Sequence, residues 1–299
     1  MRHLQSFKYV KIIAEAGSIR GAAENLTISP SALNRHIQTL ELDIGIQIFD
    51  RLTKGVRLST EGELFYQFAL RQLASFEQLQ SQINDIKGLR TGVVRVGVSA
   101  DLSLKFLYKQ ITEYQNDHPE VSFELKTVTQ EGLEAALNTN QIDLALFYQP
   151  VLGRNLQLLH AIETPIYAAL PNGAPIRDKD GLMLYELIDQ SALLPLKDTQ
   201  LRIKIDAACE KLGIMLRTKM ECADPLPYLG STNKSRISFC LPFWDDFEEY
   251  NVRGYKLVPI ASKELTVGYV NLVSGTRNMM AIAPQKFAEK LIMRFENGE

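Results

Sequence analysis

The feature that most restricts how this chain can fold is the spacing of apolar residues over its first sixty positions. Leu4, Phe7, Val10, Ile13 and Ala14 fall on one helical stripe, and Gly17 ends it, as a glycine after a periodic run commonly does. Ser18 is a good N-cap for a second stripe, Ile19, Ala22, Ala23 and Leu26, whose Ala-Ala pair leaves room for another helix to approach closely. Ser29-Pro30 then supplies a cap followed by proline at the first helical position, where its missing N–H costs nothing. From there Leu33, Ile37, Leu40 and Ile44 share one face, while Ser31, Asn34, Arg35 and Gln38, with no acid among them, cluster on the opposite one. Two short helices at a tight turn, the second with such a face, predict a helix-turn-helix whose second helix enters the major groove.

Most polar helix faces are only wet, and the residues that follow tip the balance. Ile46-Gln47-Ile48 alternates, and Asp50-Arg51-Leu52-Thr53-Lys54-Gly55-Val56-Arg57-Leu58 reads as a hairpin turning at Lys54-Gly55. A basic hairpin directly after a recognition helix is a wing, able to set Arg51 or Lys54 against phosphates or into the minor groove. Ser18, Arg20, Ser29, Pro30, Ser31, Asn34, Arg35, Gln38, Arg51, Lys54 and Arg57 are the candidate DNA-contacting residues. The formal net charge of −2 speaks against nucleic acid only as an average. Residues 1–90 hold eleven Lys/Arg against nine Asp/Glu, whereas 91–299 hold 22 against 26. That split has the sign expected of a basic DNA-reading module joined to an acidic partner.

This stretch closely resembles the LysR-type transcriptional regulators. The match runs through Gly17-Ser18, Ala22-Ala23, Leu26, Ser29, Ala32-Leu33, Arg35, Ile37, Leu40-Glu41, Gly45, Phe49, Arg51, Gly55-Val56-Arg57-Leu58 and Thr60-Glu61-Gly62. One segment departs from the pattern. Where the family usually shows Ser-Gln-Pro-Ala-Leu-Ser-Arg, this chain has Ser29-Pro30-Ser31-Ala32-Leu33-Asn34-Arg35. These are base-facing positions, so the family's typical operator preference is not carried over. Asn34 is suited to a bidentate pair with adenine.

Ser59-Thr60-Glu61-Gly62-Glu63 supplies caps and early acids for a long helix over about 60–88, roughly 43 Å at 1.5 Å per residue. Phe65, Ala69, Phe76, Leu79, Ile83 and Ile86, with Gln72 as one polar member, form a heptad seam, and Gly88 and Gly92 end the run. A stripe packed on its own domain is the alternative. The resemblance implies an antiparallel pairing of this helix with a second subunit.

Beyond residue 91 strands and helices alternate. Strand 93–98, helix 102–116, strand 121–125, helix 131–139 and strand 142–147 predict a parallel sheet with right-handed crossovers. A weaker alternation follows, with strand 166–170, helix 201–212, strands 218–222 and 237–241, strand 265–273 and a closing helix 284–297. This resembles the LysR-type effector domain, two α/β subdomains like those of periplasmic binding proteins, with crossings near 164 and 266. The expected fold is α + α/β. It has a winged helix-turn-helix domain at 1–59, a linker and dimerisation helix at 60–90, and a regulatory domain at 91–299. Subdomain I of that domain covers 91–163 and 266–299, and subdomain II covers 164–265. The Gly-rich run that many relatives carry in the second subdomain is reduced here to Leu241-Pro242 at the end of 230–242.

Ligands of open α/β sheets bind beyond the carboxyl ends of strands, here between the subdomains. That places Ser99, Ala100, Asp101, Ser103, Thr127, Thr129, Phe147 and Tyr148 on one side of the cleft, with Pro195, Thr199, Gln200 and Arg202 opposite. Family pockets often hold a carboxylate at such a helix N-terminus with Ser or Thr. Asp101 is unusual there. It either caps its own helix, the simpler reading, or marks an effector of hydroxyl or amine character.

At 299 residues and roughly 100–200 per domain, two or three domains are expected. No stretch approaches the roughly 18 consecutive apolar residues of a spanning helix, and no signal-peptide pattern opens the chain. Cys209, Cys222 and Cys240 have no metal-site spacing and read as packed thiols, although Cys209 and Cys222 as a redox pair is a weaker thought. The four histidines (His3, His36, His118, His160) are scattered, and no hydrolase, zincin or phosphate-loop motif occurs. The expectation is a cytoplasmic, non-enzymatic, sequence-specific transcriptional regulator without metal or cofactor, modulated by a small-molecule effector. Its implied partners are double-stranded DNA, the effector, a homodimer or homotetramer and RNA polymerase. A solute-binding protein, or an effector-independent DNA-binding protein with a non-sensing α/β domain, is the alternative.

Overall fold

The structure, a computed structural model, describes residues 2–86, 91–149, 153–174, 181–229, 236–243, 246–261, 263–265, 267–276 and 280–297. It comprises two compact units, residues 1–89 with 138–141, and residues 90–137 with 142–299.

In the first unit, α1 (Arg2–Ala16), α2 (Ile19–Leu26) and α3 (Pro30–Ile44) are followed by β1 (Phe49–Arg51), β2 (Val56–Leu58) and α4 (Thr60–Ile86). The caps are those the sequence advertises. The Gly21 N–H donates to Ser18 Oγ, the Ala32 N–H donates to Ser29 Oγ, and Pro30 occupies the first turn of α3. Gly45 closes α3 at φ +71°. Val10, Ile13, Ala22, Ala23, Leu33 and Ile48 are fully buried in one core, and the two alanines are the small residues that let the helices close up. Glu41 was read only as part of the family pattern. Its Oε1 accepts the Ile48 N–H at 2.7 Å and the Phe49 N–H at 3.1 Å, and so ties the end of α3 to the first wing strand. β1 and β2 pair antiparallel, Phe49 opposite Leu58. At the hairpin turn Gly55 has φ +90°, and a Cβ there would run into the Gly17 carbonyl.

α4 corrects part of the expected seam. Ala69 is fully buried within its own unit, and Phe65 packs edge-to-face on Phe7 of α1 at 5.9 Å, so neither is available to a second chain. The physical reason is that α1 needs a cover, and the first half of α4 supplies it with Ala69, Leu70 and Leu73. Leu64, Phe68, Leu79 and Ile83 stay exposed, and Phe76 is half-buried. The Ile86 side chain and Gly88 lie outside the described residues. Gly92 opens a strand rather than ending the helix.

The second unit begins with β3 (Gly92–Val98), α5 (Lys105–Asp117), β4 (Val121–Thr127), α6 (Gln130–Asn138), β5 (Leu144–Tyr148) and β6 (Leu156–Thr164). It continues with β7 (Tyr167–Pro171), β8 (Ser191–Leu194), α7 (Gln200–Leu212), β9 (Arg217–Glu221) and β10 (Arg236–Cys240). α8 (Asp246–Val252), β11 (Tyr255–Pro259), β12 (Gly268–Gly275) and α9 (Ile282–Asn297) complete it. One sheet runs β4-β3-β5-β12-β6 and the other β11-β7-β10-β8-β9. The chain passes to the second sheet between Thr164 and Tyr167 and returns after Pro259.

The sheets are mixed, not purely parallel. β3 is parallel to β4 and β5, but β12 runs antiparallel to β5 and β6. In the second sheet β8 is parallel to β9 and β10, while β7 is antiparallel to β10 and β11. The antiparallel strands of the first sheet are those next to the crossings: β6 leaves and β12 returns as neighbours. Successive β5 side chains face opposite sides. Tyr148 joins the cluster under α5 and α9, and Phe147 joins Leu133, Leu137 and Val273 beneath α6. Phe106 of α5 stacks on Phe243 beyond β10 at 4.7 Å and on Phe295 of α9 at 5.5 Å. One apolar cluster therefore runs through both subdomains. Glu113 of α5 pairs with Lys290 at 3.3 Å and Arg294 at 2.9 Å on α9.

Candidate functional site

The first candidate surface is the outer face of α3 with the wing. Ser31, Arg35 and Gln38 are exposed and Asn34 is half-buried, as expected of one polar face opposite Leu33, Ile37 and Leu40. Arg51 Nη2 of the wing donates to Asn34 Oδ1 at 3.3 Å. The wing and the recognition face thus meet at the residue that departs from the family pattern. Arg57 pairs with Asp50 across the hairpin at 3.2 Å, and Arg20 with Glu24 at 3.5 Å, both largely exposed. Ser18 and Ser29 use a lone pair for capping, which leaves each hydroxyl able to donate. Pro30 and Lys54 are exposed.

Beside this face an open groove runs between α1 and α3, lined by His3, Ser6, Ser31, Arg35, His36 and Asp43 among others. Ser6 Oγ and His36 Nε2 lie 2.9 Å apart, and Tyr9 meets the imidazole edge-on. His3, Ser6, His36 and Asp43 were absent from the sequence-derived set. Only the α1–α3 packing brings them beside Arg35.

The second candidate surface lies in the other unit, where loops after β3, β4 and β5 face the start of α7. Ser99 is buried, and its Oγ donates to Asp101 Oδ2 at 2.6 Å and accepts the Asp101 N–H at 3.2 Å. Asp101 Oδ1 accepts the Leu201 N–H at 2.7 Å. Asp101 therefore does not cap its own helix. α5 starts at Leu104 with no side-chain cap bond, and the carboxylate caps α7 of the opposite subdomain instead. The nearest helix start was the wrong one because the loop is long enough to reach across.

Several expected cleft residues have other work. Phe147 is in the core beneath α6, since it alternates with Tyr148 on β5. Arg202 is buried and donates to both oxygens of Asp206 at 2.9 Å, to Glu221 at 3.0 Å and to the Pro195 carbonyl at 2.9 Å. Burial opposes its charge, but Asp206 and Glu221 outweigh it and raise the guanidinium pKa further. It pins α7 to β9 and is not a grip for a ligand. The Thr199 hydroxyl is consumed by the Arg202 N–H and the Leu196 carbonyl. Thr129 caps α6 through the Gly132 N–H, and the Ser103 hydroxyl accepts the Lys105 N–H. Ala100 and Thr127 are exposed, and Pro195 and Gln200 half-buried.

Tyr148 is placed at the cleft as expected. Its ring lies 5.9 Å from Lys204 Nζ of α7. Burial pushes its phenol up to about 12, and the charge of Asp101 acts in the same sense. Among the described residues the Tyr148 hydroxyl and Gln149 Nε2 are buried without hydrogen-bond partners. Burial lowers the Lys204 pKa. Gln149 and Lys204 escaped the sequence reading because neither stands at a strand end or helix start that rule-based placement would choose.

Residues 4–63 match the family described as bacterial regulatory helix-turn-helix protein, lysR family, and residues 87–229 match the LysR substrate binding domain. The chain belongs to the LysR family. Among its relatives, the HTH-type transcriptional regulator BenM of Acinetobacter baylyi is 30% identical over 198 residues, 65% of this chain and 63% of BenM. The HTH-type transcriptional regulator AlsR of Bacillus subtilis is 25% identical over 235 residues, 77% of this chain and 76% of AlsR. The fold is that of full-length OxyR from Pseudomonas aeruginosa, with a TM-score of 0.67 at 19% identity over 99% of this chain and 93% of that one. Full-length CbnR in complex with its target DNA gives a TM-score of 0.62 at 16% identity, covering 98% and 99%. The LysR fold is thus an N-terminal helix-turn-helix domain and a C-terminal substrate-binding domain on one chain.

In this LysR-family chain the three cysteines are free, with Cys209 buried. Burial pushes both the Cys209 and the Cys222 thiol up, away from the thiolate form that reacts. Among the described residues no His, Cys, Asp and Glu gather as a metal site, and no helix is long and apolar enough to cross a membrane.

Proposed function

We propose that this protein is a sequence-specific DNA-binding transcriptional regulator that acts as a dimer or tetramer and is modulated by a small molecule bound between the two α/β subdomains. The observation that carries the reading is the acid-free outer face of α3, Ser31 to Gln38, backed by a basic wing that touches it through Arg51 and Asn34. One helix-turn-helix covers few base pairs, so two copies related by a two-fold axis would read half-sites spaced by helical turns. The exposed Leu79 and Ile83 on α4 support such pairing. A ligand that favours one closure of the subdomains would change the spacing of the recognition helices and the bend of the DNA, whereas one binding both forms equally would shift nothing. Contact with RNA polymerase belongs to the same reading.

A chromatin-binding map with and without candidate metabolites, followed by footprinting of purified protein on the recovered fragments, tests it. Protected half-sites about one helical turn or its multiples apart are expected. Purified, folded protein that protects no genomic fragment in dilute buffer would remove the reading.

A further inference from the structure

The start of α7 carries an unusual cap. Helices leave their first amide N–H groups without internal partners, and that end is positive. Thr199, the N-cap of α7, takes one of these amides, that of Arg202. The Leu201 amide is taken by Asp101, a hundred residues earlier and on the other subdomain, at 2.7 Å. The first turn of α7 contains no acid of its own. Asp101 is held ready for this bond by Ser99, which binds both its Oδ2 and its N–H. Beside it is the Tyr148 hydroxyl, fully buried and without a partner among the described residues. Two further contacts tie the same subdomains together: the Phe106–Phe243 stack and the approach of Lys204 Nζ to the Tyr148 ring.

We propose that Asp101 is a tethered carboxylate that fills the anion seat at the start of α7 and latches the two subdomains together with no small molecule bound. The inference rests on the effector reading for the site it regulates, and it assigns that site a built-in competitor. A tethered group acts at an effective concentration in the millimolar range or above. A simple monocarboxylate at lower concentration therefore does not gain this seat, and a ligand that opens the cleft must draw Asp101 away or offer more contacts than one carboxylate.

The test uses the full chain, Asp101→Ala and Asp101→Asn, with acetate as the probe and acetamide at matched ionic strength as its neutral control. Asp101→Ala is expected to expose the Leu201 amide, raising its hydrogen-exchange rate about tenfold or more while the Ile205 amide inside α7 is unchanged. Acetate should then stabilise Asp101→Ala saturably in thermal unfolding at tens of millimolar, and stabilise the natural protein far less. Equal acetate effects on both, or an unchanged Leu201 exchange rate, overturns the latch. If Asp101→Ala fails to fold, Asp101→Asn, which keeps the shape and one acceptor oxygen, is read by Leu201 exchange alone: faster exchange supports the latch and unchanged exchange overturns it. None of these readouts needs an effector. A natural protein whose DNA binding no metabolite changes would remove the effector reading and leave the latch standing, whereas an indifferent Asp101→Ala removes the latch alone.

Discussion

Asn34 is where this chain's own chemistry departs most from its family, and its position between base edges and wing makes the departure consequential. Its Oδ1 accepts from Arg51 in the free protein, so an adenine contact would hold both the amide and the guanidinium in place. Asn34→Ala is expected to relax base preference at one position per half-site by about 1–3 kcal/mol. Binding-site selection on both proteins checks this, and an identical consensus would end the role. Tyr148 makes a second prediction at this scale. Its phenol ionises near 12 when folded, above its value of about 10 in the unfolded chain. The unfolded state therefore loses its proton first, and stability should fall as pH rises from about 10 to 12. Tyr148→Phe removes a buried hydroxyl that has no partner. It should leave neutral stability within about 1 kcal/mol and remove this term, as followed by unfolding between pH 9 and 12.

At the scale of the element, α4 serves two masters. Its first half covers α1 through Ala69, Leu70 and Leu73, while Leu79 and Ile83 remain outside. Leu79→Asp and Ile83→Asp are expected to leave the winged domain folded and convert the oligomer to monomer by sedimentation. Ala69→Asp should unfold the winged domain, because a buried charge in that packed space has no partner. α7 depends in the same way on Arg202, which binds Asp206, Glu221 and the Pro195 carbonyl from a buried position. Both carboxylates are partly exposed, so Arg202→Met should cost roughly 1–3 kcal/mol and not the larger loss of a fully buried pair. Chemical denaturation of the two proteins measures it.

For the whole molecule the decisive quantity is charge against DNA. Affinity should fall linearly on a log–log plot with salt, the slope being about −0.9 per phosphate contacted. Lys54→Ala at the wing turn should flatten that slope by about one contact per subunit and leave the consensus unchanged. A fluorescence titration from low to moderate salt checks it.

Much of this architecture follows from the order of residues alone. The caps Ser18 and Ser29, the proline at the start of α3, the turn at Gly55 and the polar face from Ser31 to Gln38 are local devices, and local devices are legible because their spacing and their physics coincide. β6, β8, α8 and β11 were not: β6 and β11 lie at sheet edges, β8 and α8 are short, and their patterns are weak without the neighbours they pack on. The cleft was legible only in outline. Phe147 faced the core, Arg202 became an anchor, and Asp101 capped a helix a hundred residues away, because each outcome is set by what stands opposite. Local sequence determined which helices and turns exist. The packing of distant segments decided which polar groups are left for chemistry, since a donor or acceptor is spent on whichever partner the tertiary fold brings within reach.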